Sequence, residues 1–366
     1  MLQIIGTITT TTPVFQTAPD SQKGGLSATI KTRVWDDGKK IRTIPYVTAG
    51  SLRGLIRRAA AKRVLDTLNR DVPRELFQIL NGGSKGRGSI GEQASMEVLS
   101  KGSRQAFAGL FGGGPYMFHS SYSVDHLIPL VEWCSRRFHW SLRDRSMIPA
   151  ANLSYEERDE EGRVVGMRDV SLTTTVTMAP RDDLLAGKGE GYITNYFESL
   201  SEYLKSIGEG RANKAAEKKA KADAKERGEK FVASKGALSK DVANLVQIEA
   251  MLPGTPLQFW ARLKPQATPA QVGLLLLAIQ DWANANQLGG GTARGFGRFE
   301  ADLALWEDDR EIVPNLFRAS DHVTSYLLND ALGEYVSAAE RELAAMTLDD
   351  LEMVYPSKTE PVKDAA

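Results

Sequence analysis

The chain has 366 residues, 42% of them hydrophobic, which is enough for one large core or two modest ones. Lys and Arg number 46 and Asp and Glu number 46, so the formal net charge is zero. That balance excludes a small, uniformly basic DNA-coating protein, while local basic patches remain compatible with a nucleic-acid partner.

Cys134 is the only cysteine, so no internal disulfide can form, and a reducing cytoplasmic location is expected. Met1 to Phe15 reads as a first strand rather than a signal peptide, with Ile4, Thr7, Ile8 and Val14 at strand-like frequency. Residues 17–25 are rich in turn formers and read as a loop. Extended stretches then run from Ala28 to Trp35 and from Ile41 to Val47. Thr48 or Ser51 can cap the helix that follows, in which Leu52, Leu55, Ile56, Ala59 and Ala60 share one face. Arg53, Arg57, Arg58, Lys62 and Arg63 fall on the other side.

Residues 81–115 are dense in glycine and predict mobile connections with little core. A hairpin is predicted over 150–180, turning near Asp159 to Gly162. Residues 205–240 are rich in Lys and Ala and predict a solvated or disordered excursion. Leu245–Leu252 and Pro256–Leu263, joined by Pro253-Gly254-Thr255, predict a second hairpin. Thr268-Pro269 starts an apolar helix through Asn284, and its run from Val272 to Ile279 is too short to span a bilayer. Phe296 to Leu305 closes the pattern as a strand, and the tail beyond Thr347 is expected to fray. Without its insertions the order is strand, helix, hairpin, helix, strand. The predicted fold is therefore α+β, with a ferredoxin-like, RRM-type split βαβ core.

The segment Gly289-Gly290-Gly291-Thr292-Ala293-Arg294-Gly295-Phe296-Gly297-Arg298 is the strongest functional signal. Its glycines let a backbone approach phosphates, and its two guanidiniums supply charge and forked donors. A plain helix-to-strand turn with two surface arginines fits the same residues. A dinucleotide site does not, because that motif opens a helix. Gly86, Gly88 and Gly91 match G-x-G-x-x-G but have no acidic partner about twenty residues on. His119, His126, His139 and His322 show no metal-ligand spacing, so neither metal nor cofactor is expected. Tyr116, Phe118, Trp133, Phe138 and Trp140 can stack on bases or pack in a core.

Two separated motifs resemble one family. Ile44 to Arg57, containing Gly50-Ser51-Leu52-Arg53-Gly54, resembles the helix start of the RAMP superfamily of CRISPR proteins, and Leu288 to Phe299 resembles its C-terminal glycine-rich loop. Gly6 to Val14 is similar to the family's first strand, and Pro253-Gly254-Thr255 to its hairpin turn. The whole is most similar to the backbone subunit of type IV effectors.

This resemblance implies a crRNA-binding subunit that oligomerises as a helical filament along the guide. It would sit beside other effector subunits, with no membrane, and support base-paired recognition of a target nucleic acid. It implies a palm from 1–64 and 245–306, a glycine-rich helical lid over 65–150, a thumb and Lys/Ala-rich insertion over 151–244, and a helical tail over 307–366. Its RNA contacts would fall on Ser51, Arg53, Arg57, Arg58, Gly289, Gly290, Gly291, Thr292, Arg294, Gly295, Gly297 and Arg298. Type III relatives cut target RNA with an aspartate in the loop after the first strand. Asp20 lies in the corresponding loop, which leaves endoribonuclease activity as the alternative.

Overall fold

A computed structural model describes residues 1–23, 26–36, 40–83, 95–143, 147–158, 161–178, 190, 193–205, 208, 219, 246–318 and 325–356. In chain order the strands and helices begin with β1 (Leu2–Thr10), β2 (Thr17–Lys23), β3 (Leu26–Thr29), β4 (Lys31–Trp35), β5 (Ile41–Pro45), α1 (Ala49–Leu68), α2 (Arg74–Leu80), α3 (Met96–Arg104) and α4 (Ala106–Phe111). Then come β6 (Tyr122–Val124), β7 (Ile128–Pro129), β8 (Ser154–Arg158), β9 (Val164–Asp169), β10 (Thr173–Met178) and β11 (Val246–Met251). The chain closes with β12 (Pro256–Leu263), α5 (Pro269–Ala285), β13 (Phe299–Glu307), β14 (Arg310–Val313), α6 (Gly333–Ala345) and α7 (Leu348–Val354).

The chain divides into two units. The smaller comprises Asp20–Ala28 and Thr175–Glu249, and in it β11 runs parallel to β3 through Gln247↔Leu26 and Ile248↔Ser27. The larger is built on an antiparallel sheet in the order β14-β13-β1-β12-β6, with β7 also paired to β12. The path β1–α1–β6 crosses over β12, and β12–α5–β13 crosses over β1. Each is a split βαβ unit, so the α+β, ferredoxin-like core expected from the sequence is present. The second strand of that core is β6, however. β11 and β12 join different sheets, so Leu245–Leu252 and Pro256–Leu263 do not form the expected hairpin. Neither strand alternates cleanly enough to reveal its partner.

Both faces of the central sheet carry buried side chains, although Glu300 and Asp302 of β13 are exposed. Ile4 and Ile8 of β1 enter the cluster formed by α1 and α5, while Ile5 points the other way with Ala304 and Trp306. That second face is covered by Leu130, Val131, Cys134, Phe138 and Leu142. Trp260 donates to Gln3 Oε1 at 2.9 Å, and Trp306 packs edge-on against Trp140 and at a steep angle against His139. RNA-recognition modules stack bases on this face; here its part around Ile5, Ala304 and Trp306 is covered by the chain itself.

The helices follow from local chemistry. Thr268 and Gln271 form a reciprocal capping box with Pro269 at the first helical position, and α5 is buried nearly all round. α1 starts at Thr48, whose hydroxyl accepts from Ser51 N–H, and stops at Asn69 in the left-handed region. Arg63 forks onto Asp281 at 2.5 and 2.8 Å, tying α1 to α5.

Three expectations change. The glycine-dense stretch contains core from Ala106 to Phe111, all buried, and Gly109 is there for close approach. A Cβ on it would lie 2.2 Å from both Ser103 O and Gln271 Nε2. Residues 17–23 are strand, not loop. The tail does not fray at Thr347, because Thr347 and Asp350 cap α7 and bury Leu351, Val354 and Tyr355. Gly86, Gly88 and Gly91 lie outside the described residues, as does nearly all of 205–240.

Tyr355 packs edge-on against Phe107 and Phe118, and its hydroxyl donates to Gly112 O at 3.1 Å. Burial pushes the phenol up to about 12, so it stays a donor. Tyr355→Ala should lower stability in denaturant titrations by about 3–5 kcal/mol, and Tyr355→Phe by about 1 kcal/mol.

Candidate nucleic-acid interface

After β1 the chain runs irregularly through Thr11 to Gln16, and both sequence motifs attach to this segment. On one side lies the start of α1. Gln16 Nε2 donates to Thr48 Oγ1 and to Ser51 Oγ, each at 2.9 Å, while Gln16 Oε1 accepts from Thr48 N–H at 3.1 Å. Thr48 and Ser51 hydroxyls lie 3.0 Å apart, and Ala49 N–H donates to His126 Nδ1 at 2.9 Å. Ser51 is thus tied into a polar clasp rather than pointing alone from the helix.

On the other side lies the glycine-rich loop. Gly290 N–H donates to Phe15 O at 2.6 Å and Gly297 N–H to Pro13 O at 2.9 Å. Arg298 N–H donates to Thr12 Oγ1 at 2.9 Å, and Arg298 O accepts from Thr11 and Thr12. Gly289 has φ +76°, and a Cβ there would sit 2.4 Å from Phe15 O, so docking of the loop requires glycine. Gly297, at φ +77°, is equally pressed against Leu288 O. These two glycines serve the turn.

Gly290, Gly291, Ala293, Arg294 and Gly295 are exposed, and Thr292 is half-buried. Gly291 and Gly295 are left-handed residues on either side of the single turn Thr292–Arg294. The N–H groups of Gly291, Thr292 and Ala293 meet no acceptor among the described residues. Successive backbone N–H groups in such a turn form a concavity suited to an anion. Because Phe15 holds the loop and Gln16 holds Ser51, the two motifs border one four-residue wall, Pro13 to Gln16.

The arginines separate into two groups. Arg57 is only 8% exposed. Its Nε donates to Leu80 O and one terminal nitrogen to Ile79 O, both at 2.8 Å, and the other reaches Gly112 O at 3.2 Å and Phe111 O at 3.4 Å. It lies over the Phe107 and Phe111 rings at 5.4 and 5.8 Å. One guanidinium thus satisfies the carbonyl ends of both α2 and α4. Burial lowers its proton affinity, yet an arginine with these acceptors stays charged. Arg53 is half-buried beside it, donating to Phe111 O at 2.5 Å and lying 5.4 Å over the Tyr122 ring.

The guanidinium of Arg57 is thus turned to carbonyls inside the fold, whereas Arg53 is half-buried and gives one terminal nitrogen to Phe111 O. Helical spacing put them on the polar side of α1, and only the later docking of α2 and α4 covers that side. Arg58, Arg294 and Arg298 are exposed, and Arg298 also reaches the α5 carbonyls of Ala285 and Asn286 at 3.5 and 3.3 Å.

Asp20 lies in strand β2 rather than in a loop; its side chain falls outside the described placements. Among the described residues no group of three or more His, Cys, Asp or Glu side chains is arranged to hold a metal ion. Phe118 and Phe138 are core residues, and Trp133 lies under the Arg42 guanidinium at 5.0 Å. Gln16 and His126, which hold the α1 start, carry no recognisable signal in the sequence, because each is one polar residue in an irregular stretch.

No protein-family model matches the sequence, and no curated protein does. Among solved structures, a chain of an assembly described as "Type IV-B CRISPR Complex" is similar over 85% of this chain and 92% of that one, with 15% identity and a TM-score of 0.45.

Arg57→Ala should remove at least about 3 kcal/mol of stability in the nucleic-acid-free protein, because carbonyls at two helix ends lose a charged donor. The loss should appear in thermal and denaturant melts whether or not RNA is added.

Proposed function

We propose that the chain is a guide-RNA-binding backbone subunit of a type IV CRISPR effector, oligomerising along the crRNA and supporting base-paired recognition of a target nucleic acid. The observation that carries this reading is the shared wall. Pro13 to Gln16 bring the Ser51 clasp and the glycine-rich loop side by side, as two motifs gripping one backbone require. The loop offers three N–H groups without acceptors among the described residues, flanked by exposed Arg294 and Arg298, with Arg58 exposed on α1. Phosphate oxygens match both donor types. Binding on this pattern is independent of base sequence and weakens with salt as counterions return.

The palm of the reading is the central sheet with α1 and α5. The insertions between α1 and β12 supply the lid and thumb, which separate successive subunits and displace guide nucleotides at regular intervals. Other effector subunits complete the particle.

Purification of the wild-type chain should yield a discrete co-purifying RNA in an elongated particle. Arg294→Ala with Arg298→Ala should strip most of that RNA at moderate salt and lower the salt slope of binding by about two. Full RNA retention in the folded double variant removes this assignment.

A further inference from the structure

β4 and β5 form a two-stranded ribbon paired from Lys31↔Pro45 to Trp35↔Ile41. Its inner side is firmly held. Val34 and Ile44 are buried in the second core, and Asp36 is buried, accepting from Arg42 Nε at 2.8 Å and from Lys40 N–H at 2.7 Å. The outer side is different in kind. Lys31, Arg33 and Trp35 alternate with Thr32 and Val34 and are all exposed, opposite exposed Ile41 and Thr43. Trp35 is 64% exposed and Ile41 56%.

Strand propensity alone does not explain an indole left in water on an anchored ribbon. Threonine there would favour the strand as well without leaving a large apolar face wet. The base of the ribbon is fixed to the interface already described: Ile30 N–H donates to Gln16 O, and Tyr46 N–H to Ile30 O. The outer row Lys31, Arg33, Trp35 thus leads away from the Gln16–Ser51 clasp in steps of about 7 Å. Two cations followed by a ring is the composition of a single-strand platform, where phosphates and base faces are met in turn. A protein-docking face of this size would carry an apolar centre depleted of charge.

We propose that the outer side of the β4–β5 ribbon is a stacking platform for single-stranded RNA, with a base on the exposed Trp35 ring and backbone phosphates at Arg33 and Lys31. This rests on the RNA-binding reading above and adds a base-contacting site to it.

The test uses the full chain freed of nucleic acid and a fluorescein-labelled eight-nucleotide oligouridylate, with anisotropy followed at several salt concentrations. Trp35→Ala should weaken binding about ten- to a hundredfold with an unchanged salt slope, and Trp35→Phe should retain most of the affinity. Arg33→Ala should weaken binding and lower the slope by about one. The exposed positions make unchanged melting curves the expected control. Wild-type affinity in Trp35→Ala, alongside impaired binding in the Arg294/Arg298 double variant, overturns the platform and leaves the reading intact. A Trp35→Ala protein that binds the oligonucleotide normally but forms smaller particles makes the ribbon a protein contact and also overturns it. Failure of the wild-type chain to bind any single-stranded RNA overturns the reading itself.

Discussion

Between Pro13 and Gln16 the chain has left β1 but is still flanked by structure on both sides, so its backbone groups must find partners outside a regular ladder. They do so in two directions. Carbonyls of Pro13 and Phe15 accept from the glycine-rich loop, while the Gln16 amide uses both its oxygen and its nitrogen on Thr48 and Ser51. A single side chain could not hold both motifs, and among the described residues no hydrogen bond joins one motif to the other. The wall therefore fixes their spacing, and the proposed phosphate-binding surface depends on that spacing. Substituting Gln16 would act on the geometry of the interface without removing a charge from it.

The arginines of α1 show how charge is divided between folding and surface. Arg63 pairs with Asp281 across the helix interface, Arg53 and Arg57 serve helix ends, and Arg58 remains in solvent. A buried guanidinium without a carboxylate is sustained here by carbonyl dipoles at the ends of α2 and α4, whose partial negative charge complements it. The choice of Arg over Lys follows from geometry, since a forked donor reaches carbonyls from two helices at once.

Much of the core was legible because it rests on periodicity and caps. α5 and β13 appear within a few residues of their expected bounds, β1 stops at Thr10 short of the expected Phe15, and Thr48 and Thr268 act as the caps their sequences suggest. The partner of β12 was not legible. β6 is three residues long and too short to show alternation, whereas β11 lay conveniently next to a turn. Of the site, the glycine loop and Ser51 stood out as motifs. The burial of Arg57 did not, because it depends on α2 and α4 closing over a face that looks polar on an isolated helix. Trp35 was equally silent, since a strand with one tryptophan reads the same whether the ring is inside or outside.

The placement of β1 has a consequence for how the chain is made. Its two neighbours, β12 and β13, come from residues 256–263 and 299–307, so neither edge of Leu2–Thr10 can be paired until most of the sequence exists. At about 5–20 residues per second, synthesis leaves this apolar strand without its sheet for roughly 15–60 s. A strand with Ile4, Ile5 and Ile8 and two open edges is a template for wrong pairing during that interval. Sheets assembled from such distant segments also close slowly, because loop entropy is spent before contacts repay it. The yield of folded chain should then depend on what shields Leu2–Thr10 during that interval.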